Sequence, residues 1–275
     1  MSFDLLAFVL GIVEGLTEFL PISSTGHLIV FGNLFSFTGN RADTFEIFIQ
    51  IGAMMAVVVL YARRFLLLIP QHDGLTWLQR VTHGGFRGWT GLFKLAAGCL
   101  PAFIIGFLAH SFIKTHLFSP VVVAYSLIVG GIILFFFPEE KITKKTFSLD
   151  QISLLDAFKV GCFQVLALCP GVSRAGSTIV GGICCGMRRE VAAEFSFFLA
   201  VPTIMAAAGY DIFKSRELFH REDLTFFAIG TIVSFVAALI AIRTFISLLQ
   251  RYSLRPWGLY RIVFGLVVLY FFEAA

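Results

Sequence analysis

The chain has 275 residues; 58% are hydrophobic and only 14% are Asp, Glu, Lys or Arg, where an ordinary soluble domain carries about 25% charged residues. With 33 Phe, its apolar surface exceeds what one soluble core can hide, so the excess must face lipid. The same figures exclude disorder, a secreted disulfide scaffold and a collagen-like chain. A net charge of +4, scattered among apolar runs, excludes a soluble nucleic-acid binder.

In chain order, the opening MSFDLLAF lacks a basic n-region, which argues against a cleaved signal peptide. Residues 3–35 are apolar but interrupted by Glu14, Glu18, Pro21 and the run Ser23-Ser24-Thr25-Gly26-His27. Apolar segments near 45–69, 91–112 and 120–137 follow, each suited to a bilayer crossing of about 20 residues. Residues 152–187 are again interrupted, by Gln164, Pro170-Gly171 and Ser173-Arg174. Three more crossings are expected near 194–213, 224–250 and 257–273. In both interrupted regions the piece after the break is too short to cross, so each reads as a re-entrant helical hairpin. Non-helical backbone is tolerated at that depth only when buried in protein or lining a wet cavity. The five Cys (Cys99, Cys162, Cys169, Cys184 and Cys185) lie in apolar stretches without metal-ligand spacing and are expected to be buried free thiols.

The two hairpins read as copies. GIVEGLTEFLPISSTGHLIV (11–30) aligns without gaps on GCFQVLALCPGVSRAGSTIV (161–180), pairing Gly11 with Gly161, Ser23 with Ser173 and Gly26 with Gly176. Glu14 falls on Gln164, and the register continues to Phe45/Phe195, Phe48/Phe198 and Met55/Met205. Within one integral membrane domain spanning 1–275, residues 1–137 form a first repeat and 152–275 a second. Each holds one hairpin and three crossings, and an odd number of crossings inverts the second copy. The expected fold is an all-α polytopic membrane protein with six transmembrane helices and two re-entrant helical hairpins in inverted-topology repeats.

Basic residues set the orientation. The side opposite the N-terminus carries Arg63, Arg64, Arg80, Arg87, Lys94, Lys141, Lys144, Lys145, Arg188, Arg189, Arg251 and Arg255; the N-terminal side carries Arg41, Lys114, Lys214, Arg216 and Arg221. The positive-inside rule makes the richer side cytoplasmic. The first hairpin then opens outward and the second enters from the cytoplasm.

Glu14 and Glu18, four residues apart, share a helix face. Each ionisable group in a membrane costs roughly 2.5–3.5 kcal/mol on insertion scales, so a cation, an Arg or a retained proton must offset the pair. Pro21 should end that helix, leaving Ser23, Ser24 or Thr25 to cap the next. A helix N-terminus presents free N–H groups and a positive dipole end, which suits phosphate. His27 lies one turn in. In the second hairpin Ser173 is placed to cap another short helix. Arg174 sits far from either loop, and its planar guanidinium is bidentate toward phosphate; alternatively it is a counter-ion to Glu14 and Glu18. Inverted hairpins bring the two helix N-termini together around one midplane pocket. Its inventory fits an anionic headgroup, a phosphate or diphosphate, with a Phe- and Leu-rich wall for a lipid tail.

These motifs resemble the bacterial undecaprenyl-diphosphate phosphatases, also called bacitracin-resistance proteins. The family's Glu/Gln-x-x-x-Glu and Pro-x-Ser-Ser-Thr-Gly-His stretch reads here Glu14-x-x-x-Glu18 and Pro21-Ile22-Ser23-Ser24-Thr25-Gly26-His27. The family's Pro-Gly-x-Ser-Arg-Ser-x-x-Thr reads Pro170-Gly171-Val172-Ser173-Arg174-Ala175-Gly176-Ser177-Thr178, with Ala175 where Ser is usual. The resemblance implies removal of the terminal phosphate from undecaprenyl diphosphate at the outer face of the bacterial cytoplasmic membrane, recycling the lipid carrier for peptidoglycan and conferring bacitracin resistance. It also implies a divalent cation, Mg²⁺ or Ca²⁺. Lipid phosphatases of the acid-phosphatase type are excluded: Val180 stands where Ser-Arg-x₅-His needs His, and no Lys-x₆-Arg-Pro occurs.

On this reading Glu14 and Glu18 hold the cation. Ser23, Thr25, Ser173, Arg174 and Thr178 bind the diphosphate, and Ser24, His27, Glu18 and Arg174 form the catalytic set. The nucleophile stays open between Ser24 with His27 as its base, His27 itself, and metal-bound water. The rival function is a transporter flipping the polyprenyl phosphate carrier. The partners are the lipid substrate and the membrane, with no nucleic acid; a homodimer stays open.

Overall fold

A computed structural model describes residues 2–70, 85–117, 119–214 and 223–273. Eleven α-helices run through these residues, with short 3-10 turns between some of them. The first hairpin is α1 (Phe3–Thr17) and α2 (Ser24–Leu34). After it come α3 (Asn40–Leu60), the short α4 (Ala62–Leu67), α5 (Gly88–His116) and α6 (Pro120–Phe136). The second hairpin is α7 (Leu154–Gln164), a 3-10 turn at Val165–Leu168, and α8 (Arg174–Cys184). The chain finishes with α9 (Arg189–Lys214), α10 (Leu224–Arg251) and α11 (Arg255–Glu273).

Five helices, α3, α5, α9, α10 and α11, are long and apolar enough to cross a membrane. The sixth expected crossing is α6, whose 17 residues reach about 25 Å at 1.5 Å per residue, the short end of the crossing range. Both hairpins have two short arms, as expected: 15 and 11 residues in the first, 11 and 11 in the second. The segment expected at 45–69 differs. Its helix starts at Asn40 and stops at Tyr61, which leaves helical geometry (φ −107°, ψ 22°) before α4. The turn brings Arg64 to Asp150, with Nη1 3.0 Å from Oδ2, and the same carboxylate accepts the Phe86 N–H at 2.8 Å.

Each hairpin's first arm packs on a crossing from the other half: α1 on α10, and α7 on α5. Both crossings are glycine to glycine. A Cβ at Gly11 would lie 2.7 Å from the Gly230 carbonyl oxygen, and one at Gly161 only 2.4 Å from that of Gly98. Only a residue without Cβ allows such approach. The helices α6 and α11 pair on the flank, and α9 crosses α3 at the centre.

The core is rich in Phe. Phe19, in the break of the first hairpin, is fully buried and meets Phe197 of α9 edge-on at 5.3 Å. Large apolar side chains also face outward along the crossings, among them Phe107 (85% exposed), Leu108 (74%) and Tyr270 (72%), the surface lipid must cover. All five cysteines are free. Only Cys99 is buried, however, and Cys162 and Cys184 are exposed. An apolar run in a membrane helix has a lipid face as well as a core face, so hydrophobicity alone did not place these thiols inside. Among the basic residues used for orientation, Arg80, Arg216 and Arg221 lie outside the described residues.

Candidate active site

Both short helices begin in the same strained way. Ser23 and Ser173 each sit at φ 70°, a region L-residues other than Gly avoid, with ψ 95° and 112°. Each caps its helix. Ser23 Oγ accepts from the Gly26 N–H at 3.4 Å, and Ser173 Oγ from the Gly176 N–H at 3.1 Å. The strain turns the chain abruptly, so the first N–H groups of α2 and α8, which have no intrahelical acceptor, end at a shared space. Ser173 Oγ lies 3.5 Å from the Leu20 carbonyl, placing the two breaks side by side.

That space is a cavity of ≈160 Å³, lined by Glu18, Ser23, Ser24 and Thr25 from the first hairpin and by Ala167, Cys169, Pro170, Gly171, Ser173 and Arg174 from the second. Gln50 of α3 and Ile204 of α9 complete the wall. Glu18 is its hub. Its Oε2 accepts the Ser24 hydroxyl at 2.5 Å, and its Oε1 accepts Arg174 Nη2 at 2.9 Å. Arg174 Nη1 donates to the carbonyl and the hydroxyl of Ser196, at 3.0 and 3.2 Å. The Nε of Arg174 is buried with no partner. The guanidinium is thus fixed by Glu18 and Ser196 in the cavity wall.

Several expected residues take other places. Thr178 is fully buried and does not line the cavity. Its hydroxyl donates to the Arg174 carbonyl at 2.8 Å and lies 2.6 Å from Ser196 Oγ. One turn into α8, it points back along the helix and braces Arg174. His27 is also absent from the cavity wall. It turns toward α11, stacks on Phe264 at 4.1 Å, and holds both ring nitrogens in hydrogen bonds: Nδ1 to the Ser23 carbonyl and Nε2 to the Tyr260 hydroxyl, each 2.7 Å. A carbonyl can only accept, so Nδ1 carries a proton. In the neutral ring Nε2 then accepts from Tyr260, and Ser24's hydroxyl partner is Glu18 rather than His27. Ala175 is fully buried in the apolar core.

Glu14 is fully buried, and neither carboxylate oxygen has a hydrogen-bond partner. A buried carboxylate left so needs a cation or a proton. Among the described residues no group of three or more His, Cys, Asp or Glu could hold a metal. Glu18 lines the cavity and Glu14 does not; two carboxylates with a substrate's phosphate oxygens are a common Mg²⁺ ligand set.

Sequence reasoning did not select Gln50, Ser196, Tyr260 or Arg261. An Arg in the apolar run of α11 was a readable signal, because intramembrane ionisable residues are functional candidates by default. The others carried no local signal.

The fold and site together define a polytopic membrane protein with a polar cavity lined by two helical hairpins. Residues 7–267 match the family described as Bacitracin resistance protein BacA, and the chain belongs to that family. It is 48% identical over 267 residues to the undecaprenyl-diphosphatase of Maridesulfovibrio salexigens, covering 97% of this chain and 98% of that protein. It is 47% identical over 271 residues to that of Solidesulfovibrio magneticus, covering 98% and 99%. It is 48% identical over 272 residues to that of Nitratidesulfovibrio vulgaris strain Hildenborough, again covering 98% and 99%.

Proposed function

We propose that the protein is an undecaprenyl-diphosphatase, hydrolysing the phosphoanhydride of undecaprenyl diphosphate to undecaprenyl phosphate and inorganic phosphate. The carrying observation is Arg174, paired with Glu18, in the wall of a cavity that also holds the first residues of two helices. Those groups are donors and positive dipole ends aimed where phosphate charge would sit. The apolar exterior suits a substrate whose long tail stays in lipid.

Ser24 is the nucleophile in this reading. Its hydroxyl lines the cavity and is bonded to Glu18. Ser24 Oγ bonds to the terminal phosphorus while its proton passes to Glu18 Oε2. The bond from that phosphorus to the bridging oxygen breaks, and the electron pair leaves with undecaprenyl phosphate. Glu18 gives that proton up to the leaving phosphate; water then attacks the phosphoserine, its proton passing to the freed Glu18 carboxylate and on to Ser24 Oγ as phosphate departs. Arg174, held by Glu18 and Ser196 in the cavity wall, sets its positive charge against the phosphoryl oxygens. Glu14 and Glu18 would hold a Mg²⁺ or Ca²⁺ ion, which supplies charge neutralisation at the transferring phosphoryl group when bound.

The arrangement of 1–137 and 152–275 as inverted repeats belongs to the same proposal; the matching caps at Ser23 and Ser173 support it. So does placement in the bacterial cytoplasmic membrane with the first hairpin opening outward, supported by the excess of basic residues at the opposite end. Purified protein in detergent should release phosphate from undecaprenyl diphosphate, and chelation should suppress the release. Silence of the wild type with added Mg²⁺ or Ca²⁺ overturns the proposal.

A further inference from the structure

Arg261 lies in the middle of α11 and is 1% exposed. No ion pair offsets its charge among the described residues. A guanidinium has five N–H donors, and here five backbone carbonyls receive them. Nε donates to Leu127 at 3.4 Å. Nη1 donates to Pro21 at 3.3 Å and Val172 at 2.9 Å. Nη2 donates to Ser126 at 3.1 Å and Gly171 at 2.9 Å.

The identity of those carbonyls matters. Pro21 belongs to the break of the first hairpin, Gly171 and Val172 to that of the second. All three lie one or two residues before the strained caps Ser23 and Ser173. Arg261 does not itself line the cavity, although Gly171 does. The side chain therefore stands behind the cradle wall. It holds carbonyl oxygens of both breaks from outside the cavity wall, so they are not free to turn inward. An anion cradle works only if such dipoles are fixed before the anion arrives, and a carbonyl swung inward would repel it.

The surroundings make room for this group. A Cβ at Gly130 of α6 would lie 2.3 Å from Arg261 Nη2, and one at Gly176 of α8 would lie 3.3 Å from Nη1. Holding a desolvated charge and clearing space for it is costly where an apolar side chain would pack without penalty.

We infer that Arg261 is a positioning residue for diphosphate binding, a single side chain that clamps both hairpin breaks and sets the two helix N-termini against each other. This rests on the diphosphatase reading. An ammonium has three donors in a compact, non-planar array, so Lys cannot hold five carbonyls from three elements.

The test compares wild type, Arg261→Lys and Gly130→Ala, the last keeping every charge while crowding the guanidinium. KM for undecaprenyl diphosphate and the inhibition constant of inorganic pyrophosphate are measured with the melting temperature. Both constants are independent of how much protein is folded, so they can be read in membranes even where little survives. Both variants are expected to raise KM and the pyrophosphate constant at least tenfold. If Arg261 only supports the fold, melting temperature and maximal rate fall while both constants stay at wild-type values, and the inference is overturned. A wild type that releases no phosphate defeats the diphosphatase reading instead, a different result from unchanged constants in an active series.

Discussion

Ser24 donates its hydroxyl to Glu18 at 2.5 Å, across the break that separates α1 from α2. The contact joins the acidic motif of one helix to the hydroxyl motif of the next, and makes Glu18 the group placed to take the serine's proton. It also explains why Arg174 matters to both, since its Nη2 holds the other oxygen of the same carboxylate at 2.9 Å.

Glu18→Gln is therefore expected to lower kcat by a hundredfold or more, the upper part of what general base catalysis contributes. KM should move much less. The substitution also leaves Arg174 without its counter-charge in a nearly dry site, where breaking a buried pair costs about 3–5 kcal/mol. A lowered melting temperature should accompany the lost rate. Near-normal turnover in a folded Glu18→Gln protein would remove Glu18 from the proton path.

Arg174→Lys should fail to restore activity. The wild-type guanidinium bridges Glu18 and both acceptors of Ser196 while lining the cavity. An ammonium cannot span those positions at once. A fall in kcat/KM of two orders of magnitude is expected, with Ser196→Ala giving a smaller loss because it removes only the hydroxyl and keeps the carbonyl that Nη1 also meets. An Arg174→Lys enzyme with wild-type kcat/KM would contradict this geometry.

His27 and Tyr260 should behave as support for the α2 N-terminus. Tyr260→Phe removes one hydrogen bond, worth about 0.5–1.5 kcal/mol, and is expected to reduce turnover only severalfold. His27→Gln should destabilise more, because Nδ1 also ties Ser23. In either variant, enzyme quenched during turnover should carry its phosphate on Ser24, as mapped by mass spectrometry. Phosphate on His27 in wild type would reverse the roles.

Legibility in the sequence followed chemistry rather than distance. Glu14, Glu18, Ser23, Ser24 and Arg174 stood out because polar residues inside apolar runs need a reason. The hairpins were readable because Pro21 and Pro170 interrupt segments too short to cross twice. What was lost was direction. Thr178 and His27 belong to the same motifs as the cavity residues, yet one helical turn points them to α9 and α11. Ser196 and Gln50 join the site from helices distant in sequence, and a lone Ser or Gln in a membrane helix announces nothing. The exposure of Cys162 and Cys184 was lost for a related reason: hydropathy cannot separate core from lipid.

The glycine crossings give a prediction for stability apart from chemistry. A Cβ at Gly161 meets backbone, 2.4 Å from the Gly98 oxygen and 2.9 Å from its carbonyl carbon. Neither atom can yield without moving a helix. Gly161→Ala should cost roughly 1–3 kcal/mol, as overpacking does, and lower the melting temperature with KM unchanged. Gly209→Ala, where nothing lies within 4 Å, is the control and should be neutral or slightly stabilising. Equal melting temperatures for the two would show that the α5–α7 crossing is looser than this contact requires.

Glu14 tests the cation. Its carboxylate is fully buried with both oxygens unpartnered, so the bare anion is the least stable form of this site and a bound cation or proton relieves it. If a divalent ion does so, Mn²⁺ titrated into detergent-solubilised protein, followed by electron paramagnetic resonance, should show a bound fraction that Glu14→Gln weakens at least tenfold. Inorganic pyrophosphate should tighten Mn²⁺ binding in wild type, because two carboxylates leave coordination positions for phosphate oxygens. The readout does not depend on turnover, so it separates loss of the ion from loss of the nucleophile: Ser24→Ala should bind Mn²⁺ as wild type does while releasing no phosphate. The same Mn²⁺ affinity in Glu14→Gln and wild type would leave Glu14 outside the metal site and make a retained proton the group that settles its charge.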